Sequence, residues 1–209
     1  MKKIAYALAL VALSAPAVAA EPNWGTGADD AAFQAMLKSG FREKGIAKLS
    51  RLDQDAAQAF CSDPKNASAK DNAGQREKIE AENMATIKWP SDGKWLGDWK
   101  EGEKVAQSGR GLTSTDKAGD VNGGNCYNCH QLSPKEISYG TIGPSLLHYG
   151  KLRGANDETL RYTWGRIYNA KAYNACSNMP RAGHMGIVTE QQMKDLMALL
   201  LDPQSPVNQ

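Results

Sequence analysis

The chain has 209 residues, with 25 basic against 23 acidic side chains, three histidines, four cysteines and five tryptophans. Lys2 and Lys3 account for the whole excess of positive charge, which leaves no basic field for nucleic acid or an anionic membrane surface. No apolar stretch approaches the length that crosses a bilayer comfortably, so no membrane span is expected.

Lys2 and Lys3 precede an apolar run over 4–13, followed by the small residues Ala15, Ala17, Val18, Ala19 and Ala20. That order reads as a secretory signal peptide over 1–20, cleaved near Ala19 or Ala20; a retained anchor is the alternative. The remaining chain of about 190 residues suits one large domain or a smaller domain with an extension, and the composition favours the second.

After Asp29 and Asp30, the residues Ala31, Phe33, Met36 and Leu37 recur at helical spacing, and Ile46, Leu49 and Leu52 mark a second segment. A third helix is predicted over 76–87, stopped before Pro90, and the run Cys61-Ser62-Asp63-Pro64-Lys65-Asn66 reads as a turn. Apolar positions are too sparse here for an independent core, so this part must lie against something else. Trp89, Trp95 and Trp99 punctuate the connector that follows. Either they pin it to a neighbouring surface or they form an exposed patch for a partner. We therefore place a helical extension and Trp-rich connector at 21–94 and the main domain at 95–209.

Within the main domain a short helix is predicted over 100–109, with Val105 and Ala106 inward and a glycine cap from Gly109-Arg110-Gly111. Leu160, Trp164, Ile167 and Tyr168 give a helix over 157–171. In the last helix the Thr189 hydroxyl caps and Gln192 returns the bond. Met193, Leu196, Met197, Leu200 and Leu201 form its buried stripe, and Pro203 closes it. No strand-like alternation of any length occurs, so the fold class is all-α.

The chemistry concentrates at Gly123-Gly124-Asn125-Cys126-Tyr127-Asn128-Cys129-His130. Cys-x-x-Cys-His is the attachment signature of a c-type haem: two thiols three positions apart each add to one vinyl group, and the adjacent histidine lies against the iron. One helical turn supplies the geometry, and Gly123 and Gly124 give the backbone room ahead of it. A thioredoxin-like pair should follow a buried strand in a βαβ pattern, and a zinc site needs more closely spaced Cys or His; neither is present. The expectation is one covalent haem c, bound through Cys126 and Cys129, with His130 as proximal ligand. Export agrees with this, because thioether attachment is completed outside the cytoplasm.

An electron-transfer haem needs a sixth ligand, and the candidates are Met179, Met185, His184, His148 and Cys176. Met179 stands in a loop, before Pro180, and a loop can place a side chain over the ring without bending a helix. His184 and Met185 share a Gly-flanked loop and are its rivals; His148 reads as a surface or hydrogen-bonding histidine. Met193 and Met197 lie on the helical stripe and read as core filling. Cys61 and Cys176 remain once haem takes two thiols, and in an exported protein such a pair is expected to form a disulfide that ties the extension to the ligand loop. The alternative is two separate buried thiols.

Together with Gly140-Thr141-Ile142-Gly143-Pro144-Ser145-Leu146, Cys176-Ser177-Asn178-Met179-Pro180-Arg181, Gly97-Asp98-Trp99-Lys100 and Ala106-Gln107-Ser108-Gly109-Arg110-Gly111, the haem motif resembles the SoxX family. These are the monohaem subunits of the SoxAX cytochrome of bacterial thiosulfate oxidation. The likeness covers roughly 95–203 and rests upstream mainly on Cys61. Its wider form, to class I c-type cytochromes, implies that fold for 95–209 and implies Met179 as the distal ligand. It also implies that the Pro144 carbonyl accepts the Nδ1 hydrogen of His130 and so fixes the imidazole.

The narrower likeness implies a periplasmic electron-relay subunit. SoxAX joins thiosulfate oxidatively to a cysteine of the SoxYZ carrier, an L-cysteine S-thiosulfotransferase reaction whose chemistry takes place at a haem of SoxA. The implied partners are a SoxA-type haem subunit in a heterodimer, the SoxYZ-type sulfur carrier and a downstream electron-acceptor cytochrome. The chain shows no nucleophile and base pair of its own, in keeping with that division. The alternatives are a free-standing periplasmic electron carrier and, third, a haem enzyme with an open distal side.

Overall fold

The computed structural model describes residues 31–66 and 72–209; the export segment at 1–20 lies outside them. Within that range the chain forms helices and single 3-10 turns, and its β-structure is one isolated bridge between Lys44 and Ala47. No helix among the described residues is long and apolar enough to cross a membrane.

Two capped helices make the centre. Helix α4 (Trp99–Gln107) starts at Asp98, whose side chain accepts from the Lys100 amide. Helix α7 (Glu190–Leu201) starts at Thr189 in a reciprocal capping box with Gln192. They meet almost backbone to backbone, because Gly102 and fully buried Ala106 present a flat face; a Cβ on Gly102 would run into the Asp195 carbonyl. The segment before α4 adds bonds from the Gly97 amide to the Lys194 carbonyl (2.9 Å) and from the Asp98 amide to the Asp195 carboxylate (2.9 Å). The predicted stripe of α7 is therefore only part of what it buries: Gln192, Lys194 and Asp195 are covered as well. Lys194 keeps its charge paired with Asp92 and Glu190, at 2.8 and 3.0 Å.

The other flank of α7 is closed by a turn at Pro206–Asn208 near the C-terminus. Asn208 accepts from the amides of Gly150 and Lys151 in α5 (Tyr149–Arg153) and donates to the Leu200 and Asp202 carbonyls. Helix α6 (Asp157–Tyr168), capped by Asn156, buries Trp164, whose Nε1 donates to the Lys88 carbonyl at 2.8 Å. Trp95 packs edge-on against Trp164 and Trp89 against Trp95, with the Arg161 guanidinium over both outer rings. Trp95 and Trp99 pack on the main core, while Trp89 stays 38% exposed. The connector is pinned to its own domain.

The extension differs from expectation in three places. Helix α1 (Ala31–Gly40) forms but buries nothing. The segment around Ile46, Leu49 and Leu52 is a bridged turn with Gly45 at φ 54°, followed by a 3-10 turn at Leu49–Leu52. Cys61 is not in a turn: it lies in α2 (Ala56–Ser62), which Asp55 and Gln58 nucleate with a capping box, and the turn follows at Pro64–Asn66. Helix α3 (Ala73–Met84) then packs beside the Ala170–Ala172 turn, where Asn169 donates to Asn83 and to Thr86. The apolar cluster found here among the described residues, Ala57, Ile79 and Ala175 with Phe60 and Cys176 against it, borrows Ala175 and Cys176 from the main domain.

Candidate functional site

The motif is built onto the end of α4. That helix does not end in the expected glycine cap; Ser108 is extended, and the chain returns beside it so that the amides of Gly123, Gly124 and Asn125 bond the carbonyls of Arg110, Val105 and Ser108. Gly123 lies so close that a side chain would overlap the Ser108 backbone. Asn125, at φ 51°, then turns the chain into a single 3-10 turn at Cys126–Asn128. The Cys126 carbonyl accepts from both the Cys129 amide (3.1 Å) and the His130 amide (2.9 Å), so both thiols and the imidazole leave one tight turn.

Tyr127, between the cysteines, is buried; burial and the charges of Glu136 and Glu103 push its phenol up to about 12. Cys126 and Cys129 are free thiols, half-buried, and burial pushes Cys126 up to about 11. A thiol held so high is protonated at neutral pH and is no activated nucleophile.

The 140–146 loop folds back under this turn. Amides of Gly140, Gly143 and Leu146 donate to the carbonyls of Tyr127, Cys129 and Gln131, each at 2.8 Å. That register brings the Pro144 carbonyl to 2.7 Å from His130 Nδ1. A carbonyl can only accept, so Nδ1 carries the hydrogen and Nε2 keeps its lone pair for a metal. Gly143 lies flat against the imidazole, where any Cβ would overlap the ring.

Among the sixth-ligand candidates, Met179 is half-buried against the same core cluster that Cys126 and Leu146 adjoin. Met185 is 59% exposed and His184 is exposed too, its imidazole pKa held below the ordinary value by partial desolvation and by the Arg181 charge. His148 belongs elsewhere: at φ 56° it opens α5, and its amide donates to the Val207 carbonyl. Met193 and Met197 are fully buried in α7. Cys176 is not available as a ligand, because it is disulfide-bonded to Cys61 with Cα atoms 5.4 Å apart. The donor chemistry fits an iron porphyrin: two free thiols, an imidazole with its tautomer set, and a thioether on a loop. Among the described residues no cluster of three or more His, Cys, Asp or Glu could hold a metal ion by itself.

No family model matches the chain. A protein of Aquifex aeolicus (strain VF5), named an uncharacterized lipoprotein, is 39% identical over 156 residues, which span 74% of this chain and 73% of that protein. The chain belongs to the family of that lipoprotein.

The residues that hold the 174–181 loop have no counterpart among those expected from the sequence. Arg181, its side chain 10% exposed, pairs with Asp55 at 2.5 Å, and Glu80 accepts from the Ala175 amide at 2.9 Å. Lys171 is buried and donates to the Ala175 carbonyl. The Asp55-x-x-Gln58 cap was a readable signal for α2; the long-range pairs left none.

Proposed function

We propose that this chain is an exported c-type cytochrome that carries one haem c and relays single electrons as the SoxX-type subunit of a SoxAX complex. The observation that carries the haem reading is the 2.7 Å bond from His130 Nδ1 to the Pro144 carbonyl, made beneath a Cys-x-x-Cys-His turn. Cys126 and Cys129 would hold the porphyrin by thioether links, and His130 Nε2 and Met179 Sδ would hold the iron. A haem so bound supplies a one-electron ferric/ferrous couple.

The chain's own residues do the positioning. Pro144 keeps the proton on Nδ1 and raises the basicity of the opposite nitrogen. Gly143 fixes the ring plane by contact, and buried Tyr127 anchors the turn between the thiols. Raised by burial, Cys126 does not support a dithiol redox reading. The 95–209 segment is read as the class I cytochrome c-like haem domain. The SoxX assignment rests on the five sequence runs that resemble that family, and with it come the SoxA-type partner, the SoxYZ-type carrier and the downstream acceptor cytochrome. Catalysis of S-thiosulfonation is placed in the SoxA-type subunit. The lipoprotein designation of the relative supports a cell-envelope location, and the periplasm is read from the export segment at 1–20.

One observation favours a second reading, a free-standing carrier. Trp95 and Trp99 pack against the core, which leaves Trp89 and Leu96 as the large apolar side chains of the connector that are exposed.

The test is purification after expression with a cytochrome c maturation system, followed by haem staining of a denaturing gel, a spectrum and size-exclusion chromatography with a SoxA-type subunit. We expect one covalent haem that is lost in Cys126→Ala/Cys129→Ala, together with co-elution. A colourless wild-type protein sinks the haem reading. A coloured monomer that ignores the SoxA-type subunit leaves the carrier.

A further inference from the structure

The loop that carries Met179 is tied down from outside the main core, and we infer that α2 and α3 are a clamp that positions Met179 for the iron; this rests on the haem reading above. Cys61 of α2 is bonded to Cys176, and Asp55, the cap of the same helix, pairs with Arg181. These anchors stand three residues before Met179 and two after it, and they use the two ends of one seven-residue helix. Glu80 of α3 adds a bond to the Ala175 amide, and Ile79 and Ala57 bury Ala175 completely. Inside the loop the bonds are local: the Cys176 amide donates to Asn174 Oδ1, the Ser177 amide to the Asn174 carbonyl and the Met179 amide to the Ser177 hydroxyl, while Lys171 of the main domain donates to the Ala175 carbonyl.

Helix α1 buries nothing, α2 buries Ala57 and α3 buries Ile79. A loop held only by its own turns opens readily, whereas one pinned on both sides opens only when its anchors do. The consequence is a choice of ligand. A neutral thioether binds iron weakly, and His184 and Met185, both exposed, lie within six residues of Met179. With both flanks fixed, Met179 is held at the core edge and its neighbours are kept off.

The test uses the haem-loaded full chain, read by hydrogen exchange of the 174–181 amides and by the long-wavelength ferric sulfur-to-iron band. The variants are Cys61→Ser/Cys176→Ser, Asp55→Asn, and Lys78→Ala as a control on the exposed face of α3. Asparagine still caps a helix, so Asp55→Asn removes only the charge that Arg181 needs. We expect loop exchange at least about tenfold faster in the double serine variant, a few-fold faster in Asp55→Asn, and unchanged in Lys78→Ala and in α7. The sulfur-to-iron band should fall in the same order.

Should the double variant fail to fold, a dithiol reductant on the wild type replaces it. Its two thiols close to a disulfide while two electrons and two protons pass to Cys61 and Cys176; because it also reduces ferric haem, the freed thiols are then blocked with iodoacetamide and the iron is reoxidised with ferricyanide before the band is read. Unchanged loop exchange with an intact band overturns the clamp, and so does faster exchange spread equally over α7, which would make the disulfide a general staple. A protein without haem defeats the function proposed above, yet loop exchange still decides whether α2 holds the loop.

Discussion

Helices α4 and α7 and helices α2 and α3 are attached by opposite means. The first pair packs through Gly102 and Ala106 against a helix buried on nearly every side, and the contact is continuous and largely apolar. The second pair has a cluster of three buried residues and relies on a disulfide, an ion pair and a few directed hydrogen bonds. Apolar burial scales with area and needs no partner residue, so it suits a permanent core. Point anchors fix a few atoms in place with little area, which suits an element whose task is to hold one loop. The disulfide closes 115 residues of separation, worth at most about 4–5 kcal/mol by chain entropy, and so offsets the missing area.

The largest effect should come from the centre. Met197→Ala removes a fully buried side chain of α7 and is expected to cost about 2–5 kcal/mol in denaturant unfolding, felt in every amide that opens globally. Next, Ile79→Ala in α3 should cost about 2 kcal/mol or less, and its exchange should quicken in the extension and the 174–181 loop while α7 keeps its protection. A global loss as large as that of Met197→Ala would break the comparison, since the extension would then belong to the core.

The smallest effect concerns acid. Burial pushes the Asp55 carboxyl up, but the Gln58 amide and Arg181 outweigh it and hold it below its ordinary 3.8. A depressed folded-state value stabilises above the unfolded one and is lost as pH falls through the folded value. Anchoring of α2 should therefore be intact at pH 5 and weaken below about 3.8, read as faster loop exchange with α7 unaffected.

Where structure depends on neighbours in sequence, it was legible. The Thr189–Gln192 box and its apolar stripe define α7, and Gly123 is needed for close passage against Ser108. The helical character and the pairing of Cys61 with Cys176 were also readable, the second from cysteine arithmetic. Misreadings fell where periodicity was short. Ile46, Leu49 and Leu52 match a helix by spacing, yet Gly45 turns the chain and no cap nucleates one. Cys61 lies in a helix and not in the turn that Pro64 suggests, because the Asp55 cap six residues upstream of it nucleates α2.

From its sequence alone this protein specifies an all-α chain and a turn that offers two thiols and an imidazole, because caps, helical stripes and a five-residue motif act over one or two turns. Tertiary structure alone decided that the tryptophan connector would pack inward on Trp164 and that Asp55 would find Arg181, while the meeting of Pro144 with His130 was expected only from the family resemblance. Those contacts join residues far apart in the chain, and their geometry is set by how helices pack around α7.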